Sequence, residues 1–130
     1  METHIPVQVG DIVQNLISEN RMTIVGVFLD PVFSLDSYHC AWFDGESYLK
    51  EACFLHKEIS LIASIENNHV AIQVNDQVQL NHANSFSDPI MEVTDTIVNE
   101  EGKFALCKWQ TEGEKTEVEF FPVCALKKVE

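Results

Sequence analysis

Basic residues are scarce in this chain of 130 residues: eight lysines and arginines stand against 21 aspartates and glutamates, for a formal net charge of −13. Proteins that bind nucleic-acid phosphates or anionic membrane surfaces rely on lysine and arginine, so direct binding to either is disfavoured. Two explanations of the acid remain open. It keeps the protein soluble, or it serves to bind a basic partner or to imitate nucleic acid toward a DNA-binding protein.

Long apolar runs are also missing, since none approaches the roughly 20 residues that a membrane-spanning helix needs. The first ten residues, METHIPVQVG, have neither the basic start nor the apolar stretch of a secretory signal peptide. We therefore expect a cytoplasmic protein with reduced thiols. The cysteines form no C-x-x-C pair, so no zinc site is predicted, and we interpret all of them as small buried hydrophobic side chains: Cys40, Cys53, Cys107 and Cys124.

Catalytic and cofactor motifs are missing as well. The histidines show no H-E-x-x-H spacing, and the chain has neither a P-loop nor G-x-G-x-x-G. His39 precedes Cys40, but neighbours on a strand point to opposite faces, so these two do not form a nucleophile and its base. We predict no enzyme, no catalytic residue, no cofactor and no metal.

What the chain does contain is an internal repeat. VQVGDIVQ at 7–14 resembles IQVNDQVQ at 72–79, and the Cys-x-Trp of residues 40–42 recurs at 107–109, 67 positions later. Other residues follow at similar offsets: Met22 and Met91, Phe54 and Phe121, Ile59 and Leu126. A repeat of this kind predicts two copies of one structural unit. We place them at residues 1–63 and 70–130, joined by a linker at 64–69.

Gly10 and Asn75 occupy the same place in the two units, each before an aspartate. Both residue types tolerate a positive φ, so the same tight turn is expected in each unit. Asp11 and Asp76 have two interpretations. They could pair across the units as a carboxylate site, or each could close its own turn through backbone hydrogen bonds, which is the commoner role.

Each unit is predicted to be β, with little or no helix. Ala105, Cys107 and Trp109 alternate with more polar neighbours, which indicates a strand with one apolar face. In the next strand an apolar set alternates with Lys115, Glu117 and Glu119; its members are Thr116, Val118 and Phe120. DGES and TEGEK predict hairpin turns, and a 3₁₀ turn is expected after Phe54 and after Pro122. Cys-x-Trp would then fill the core of a very small barrel.

The order of motifs resembles the YodC-like family of uncharacterised small bacterial proteins. Its elements are Val-Gly-Asp-x-Val at 9–13, Met-Thr-Ile at 22–24 and Cys-Ala-Trp-Phe-Asp-Gly at 40–45, then Phe54 and residues 59–62. The second unit repeats the order but has Gln-Thr-Glu-Gly where Phe-Asp-Gly is expected. The resemblance implies an SH3-like barrel for each unit, and it implies no activity or catalytic residue.

Aromatic residues of the first unit are the candidates for a partner-binding surface, because small barrels often bind peptides with aromatics at one end. The candidates are Phe33, Tyr38, Phe43 and Tyr48, and Phe28 belongs to the same set of aromatic residues. By alternation Phe43 faces away from Trp42, so it is either exposed to a partner or buried against the second unit. The second unit has Gln110 at this position, which indicates that the two units have diverged in role.

The fold prediction is therefore all-β, with two tandem SH3-like β-barrels. The function prediction is a non-enzymatic protein-binding or adaptor protein that takes a basic protein partner, and not nucleic acid directly or a membrane. The alternative is an acidic protein that mimics nucleic acid and inhibits a DNA- or RNA-binding protein. An adaptor needs an apolar centre with a charged rim, whereas a mimic needs carboxylates arrayed along one face.

Overall fold

The structure, a computed structural model, describes residues 7–32, 35–64, 71–83 and 88–129. They form two antiparallel sheets of five strands each. The first sheet contains β1 (Ile12–Asn15), β2 (Arg21–Asp30), β3 (Leu35–Phe43), β4 (Leu49–Leu55) and β5 (Ile59–Ala63). The second contains β6 (Gln77–Leu80), β7 (Met91–Asn99), β8 (Gly102–Gln110), β9 (Thr116–Pro122) and β10 (Leu126–Lys128). The all-β class and the tandem arrangement are confirmed. Of the predicted linker only Ser64 is among the described residues.

The two sheets have the same strand order. It is β4-β3-β2-β1-β5 in the first and β9-β8-β7-β6-β10 in the second, so each strand has its counterpart five strands later. A 3₁₀ turn precedes the last strand of each sheet, at His56–Glu58 and Val123–Ala125, as the sequence predicted. In the described ranges no α-helix occurs, and no helix there is long and apolar enough to cross a membrane.

The expectation of closed barrels is wrong, because both sheets are open. β4 and β5 are the two edges of the first sheet, and β9 and β10 are the edges of the second. In each unit the 3₁₀ turn carries the chain from one edge to the other, where the last strand pairs with the first strand of that unit. No strand pair among the described residues closes the second sheet into a barrel. Side chains of the first unit contribute to its core.

The predicted turns at Gly10 and Asn75 are confirmed by positive φ angles of 98° and 78°. In each unit the aspartate carboxylate accepts the backbone N–H of the residue three positions earlier, at 2.9 Å for Asp11 and 2.8 Å for Asp76. This N–H is the main reason why the pKa of Asp76 lies below its usual value. Each aspartate therefore closes its own turn, which is the second of the two interpretations.

The alternation predicted for β8 is confirmed, but the core face predicted for β9 is wrong. On β8 the apolar set is buried, namely Ala105, Cys107 and Trp109. On β9, Val118 and Phe120 are 56% and 44% exposed, whereas Phe121 is 1% exposed. Phe121 lies opposite Ala105 in the sheet, and cross-strand partners share a face. The buried face of β9 is therefore the one that carries Phe121.

The cysteines divide into two kinds, so the interpretation of all four as buried hydrophobes is wrong for two of them. Cys40 and Cys107 are buried at equivalent positions, and burial raises the pKa of both thiols to about 12. Cys53 and Cys124 are exposed. Cys53 pairs with His39 on the other face of the first sheet, and Cys124 lies in a 3₁₀ turn, so neither side chain reaches a core.

The turns at Gly10 and Asn75 are expected to tolerate substitution unequally, because the backbone at Cys124 lies directly against Gly10. A Cβ atom at Gly10 would lie 2.5 Å from the carbonyl oxygen of Cys124, in addition to the strain of the positive φ. We expect Gly10→Ala to lower the free energy of unfolding by about 2 kcal/mol or more. Asn75→Gly, the matched control, should change it by less than about 1 kcal/mol. Urea denaturation of both variants checks this, and equal effects would contradict it.

Candidate functional site

The aromatic residues predicted to bind a partner lie in different environments. Phe43 and Tyr38 are buried, with 8% and 5% of their surface exposed, and Tyr48 is half-buried. Burial is also the main reason why the pKa of Tyr38 is raised, with the carboxylate of Asp36 adding to it. Phe33 lies outside the described residues. In this arrangement Phe43 and Tyr38 offer a partner little surface, and the structure does not bring these rings together into one patch.

Phe43 packs into the core of the second unit. Its ring meets the indole of Trp109 edge-on, with centroids 5.2 Å apart and planes at 79°. Ala41 belongs to the same core cluster, and Val25 and Leu49 pack against it. We call these four residues of the first unit the docking face. Of the two alternatives for Phe43, the structure shows burial against the second unit.

Hydrogen bonds between the units surround this apolar contact. The indole N–H of Trp109 donates to the carbonyl oxygen of Ser47 at 2.8 Å. The backbone N–H of Glu112 donates to the carbonyl of Glu46 at 3.0 Å. The side-chain amide of Asn81, which is buried, donates to the carbonyl of Gly10 at 2.8 Å. The two units are therefore joined by an apolar centre with directional bonds on several sides of it.

His82 and Thr23 form a further link between the units. The backbone N–H of His82 donates to the hydroxyl of Thr23 at 3.1 Å, and the ring Nδ1 lies 2.7 Å from the same oxygen. Burial, with a smaller contribution from the nearby charge of Lys127, lowers the pKa of His82 to about 4. The ring is therefore neutral at pH 7, and its Nδ1 shares a hydrogen bond with the Thr23 hydroxyl.

Acidic residues of both units lie where the units meet. We call this set the acidic seam; it comprises Glu46, Glu51, Glu112 and Glu119. Burial raises the pKa of Glu119 on β9, and the charge of Glu51 on β4 raises it further. Glu51 in turn lies 3.3 Å from the ring of His39. The acidic turns of the two units, at Glu46 and Glu112, are in direct backbone contact. The seam is therefore a place where acidic side chains of both units are concentrated.

The end of the β2–β3 hairpin exposes apolar side chains. We call this set the apolar hairpin; it comprises Val27, Phe28, Leu29, Val32 and Leu35, which are between 38% and 79% exposed. The ring of Phe28 lies over Gly26, where an added Cβ atom would be 3.1 Å from it, and beside His39, with ring centroids 6.3 Å apart. Even so, 56% of Phe28 is exposed. Clusters of exposed apolar side chains commonly mark binding surfaces.

The equivalent hairpin of the second unit is polar at its end. After Ile97 and Val98 the chain continues as Asn-Glu-Glu-Gly-Lys at 99–103, where the first unit has apolar residues on both sides of its turn. The sequence prediction included Phe28 but missed the other members of the apolar hairpin, and Phe33, which it also named, lies outside the described residues. A comparison of the two units at this hairpin would have found them, because the same element is apolar in one unit and polar in the other.

An open cavity of about 440 Å³ lies on the second unit, beside β7 and β8. Glu92 and Lys108 line it and form an ion pair at 3.2 Å, so two of its charged groups neutralise each other. Among the residues that the structure describes, no three histidine, cysteine or acidic side chains are placed to hold a metal ion. The chemistry of the described surface is therefore clearest at the apolar hairpin and at the docking face.

The different burial of the two tryptophans predicts different costs of removing them. Trp109 is 4% exposed, whereas Trp42, its counterpart in the first unit, is only half-buried. We expect Trp109→Ala to lower the free energy of unfolding by about 3–5 kcal/mol, the usual range for a large aromatic side chain in a core. Trp42→Ala should cost clearly less. Chemical denaturation of both variants measures the difference, and a fully stable Trp109→Ala protein would refute the packing role of this ring.

The neutral His82 predicts that acid weakens the fold. Its pKa is about 4 in the folded chain and 6.5 when unperturbed, so the unfolded state binds the proton more tightly between these values. The contribution of His82 is therefore complete above about pH 6.5 and is lost as the pH falls toward 4, by about 2–3 kcal/mol in all. His82→Asn, which keeps a hydrogen-bonding amide near the position of Nδ1 but does not titrate, should flatten the pH dependence. Urea denaturation from pH 7 to 4 measures both slopes, and identical slopes would contradict the assignment.

Comparison with known proteins leaves the function to be argued from this geometry. No family model matches the chain, and it matches no curated protein and no solved structure. The resemblance to the YodC-like family therefore stays a prediction. The observations that bear on function are the interface between the units, the acidic seam and the apolar hairpin.

Proposed function

We propose that this protein is a non-enzymatic, cytoplasmic protein-binding module, and that the apolar hairpin is its main contact surface. The shared strand order, with a 3₁₀ turn before the last strand, supports an SH3-like architecture for each unit as part of this proposal. The single observation that carries the proposal is the concentration of five exposed apolar side chains at the end of one hairpin.

Exposure of these apolar side chains to water is unfavourable. Leu29 and Val32 are 67% and 79% exposed, and burial of apolar surface is favourable by roughly 25 cal/mol per Å². The second unit shows that the fold itself does not require an apolar hairpin end, because its own equivalent is Asn-Glu-Glu-Gly-Lys. A partner protein that covers the apolar hairpin supplies the burial that the chain alone does not.

The charge of the chain bears on the kind of partner. The net charge of −13 favours encounter with a basic protein and disfavours an acidic one. Asp36 pairs with Leu29 across the β2–β3 hairpin, so at least one carboxylate lies directly beside the apolar centre. A partner with an apolar groove and a rim of lysine or arginine fits this arrangement, because interfaces usually combine an apolar core with a polar rim.

A second candidate function is supported by the acidic seam. The charge of Glu51 adds to burial in raising the pKa of Glu119, and the acidic turns at Glu46 and Glu112 are in contact. A surface that collects carboxylates from both units is suited to occupy the phosphate-binding site of a DNA- or RNA-binding protein. Such binding would depend strongly on salt, because it rests on charge.

Affinity capture from the native lysate with the tagged full-length protein tests these two functions, if it is done at low and at raised salt. The informative variant is Leu29→Ser with Val32→Ser, which removes two exposed apolar side chains. Ile97→Ser with Val98→Ser on the equivalent hairpin is its matched control. All four positions are exposed, so neither variant is expected to change the free energy of unfolding by much more than about 1 kcal/mol.

We expect at least one protein that the wild type and the control capture at both salt concentrations and that the Leu29/Val32 variant loses. Nucleic-acid-binding proteins that are captured equally by all three proteins, and only at low salt, would favour the inhibitor function instead. If the Leu29/Val32 variant captures the same proteins as the wild type at raised salt, the apolar hairpin is not the contact surface.

A further inference from the structure

The site on the second unit that receives Phe43 has a counterpart on the first unit. Trp42 on β3 corresponds to Trp109 on β8, and Phe54 on β4 corresponds to Phe121 on β9. Trp109 and Phe121 are 4% and 1% exposed, with Phe43 against the indole. Trp42 and Phe54 are only half-buried at the edge of the core of the first unit. The same pair of rings is thus covered in one unit and partly open in the other.

The indole nitrogens of the two tryptophans differ in the same way. That of Trp109 donates to the carbonyl oxygen of Ser47, which belongs to the turn that follows Phe43. Within the part of the chain that the structure describes, the indole nitrogen of Trp42 has no hydrogen-bond partner, and it is not among the buried polar atoms. The indole N–H of Trp42 is therefore free to donate a hydrogen bond, whereas that of Trp109 donates to a carbonyl of the other unit.

The loop after the first strand of each unit shows the same contrast. Leu16 corresponds to Asn81, since the backbone N–H of each bonds to a carbonyl of the 3₁₀ turn in its own unit, at 3.1 and 2.9 Å. Ile17 then corresponds to His82. Asn81 and His82 both bond to the first unit, whereas Leu16 and Ile17 are 56% and 90% exposed. Two exposed apolar side chains therefore stand in the first unit where two residues of the second unit bond to its neighbour.

A second copy of this chain is not suited to cover Trp42 and Phe54. Its first unit already uses the docking face against its own second unit. Its second unit has Lys108 and Gln110 where the docking face has Ala41 and Phe43, so it offers no aromatic ring at this place. The occupant that suits the open site is therefore a different protein that presents a ring as Phe43 does.

The charged residue beside Trp42 indicates a second property of the protein that would bind there. Lys50 is the cross-strand partner of Trp42, whereas Glu117 is the partner of Trp109. Half of the Lys50 side chain is exposed, with its ammonium 3.8 Å from Asp44. Cross-strand partners share a face of the sheet, so this cation lies at the rim of the open site. A carboxylate next to the aromatic side chain of the occupant would complement it.

We propose that the first unit binds a partner protein at Trp42, Phe54, Leu16 and Ile17, and that the partner inserts an aromatic side chain with a neighbouring carboxylate. The partner presents this ring at the end of a strand, before a turn whose carbonyl accepts the indole N–H of Trp42. This is a second surface, and it does not require that the apolar hairpin bind anything.

The probe is a cyclic hairpin peptide with the sequence of residues 41–49, AWFDGESYL. It contains the ring and the turn carbonyl that the second unit receives, and it carries Asp44 as the neighbouring acid. Cyclisation is needed because an isolated hairpin is marginally stable in water. Titration of the unlabelled peptide into the ¹⁵N-labelled full-length protein follows the two indole N–H signals. The signal of Trp109 is the internal control, because its indole N–H is already hydrogen-bonded to Ser47. The Trp42→Phe variant, which lacks the second signal, assigns that signal to Trp42.

We expect a saturable shift of the Trp42 signal and no shift of the Trp109 signal. The same peptide with serine in place of phenylalanine should produce no shift, and Lys50→Glu in the protein should weaken binding by about two- to fivefold, as for an exposed ion pair. No shift of the Trp42 signal, or an equal shift with the serine peptide, would overturn the proposal. A Trp42 signal that shifts with protein concentration alone would overturn it too, because the occupant would then be a second copy.

Discussion

The contact between Phe43 and Trp109 is the interaction on which the arrangement of the two units depends. It places a side chain of the first sheet in the core of the second, so the two sheets share apolar burial. A unit of about 60 residues buries comparatively little surface, and one additional aromatic ring matters at that size.

The two units show how a duplicated fold divides its roles. Equivalent positions carry Phe43 and Gln110, Leu16 and Asn81, and an apolar and a polar hairpin end. In the first two pairs the difference follows from position, because the neighbouring unit covers one member and the other faces solvent. The strand order is the same in both units, so the side chains and not the order of strands distinguish their surfaces.

Much of the fold could be predicted from the sequence, because the relevant interactions are local or repeated. Gly10 and Asn75 marked the turns, and the 3₁₀ turns followed from Phe54 and Pro122. The core face of β9 could not be predicted in the same way, because a period of two defines two faces and does not say which one is covered. That choice depends on the pairing of Phe121 with Ala105, which is a contact between strands.

The candidate surfaces were harder to predict, since exposure depends on contacts between distant parts of the chain. Alternation showed that Phe43 points away from Trp42 but left its surroundings open. The burial of Phe43 depends on Trp109, 66 positions away, and the exposure of the apolar hairpin depends on the absence of a neighbour at that end of the described sheet. Neither fact is encoded in the spacing of nearby residues.

A double-mutant cycle on the interface between the units tests the account most directly. It measures the free energy of unfolding of the wild type, Phe43→Leu, Trp109→Phe and the double variant by urea denaturation. If the two rings interact as described, the effects are not additive, and the coupling energy is about 0.5–1.5 kcal/mol, as for a packed aromatic pair. A coupling energy of zero, with both single variants close to the wild type, would contradict the claim that this contact joins the two units.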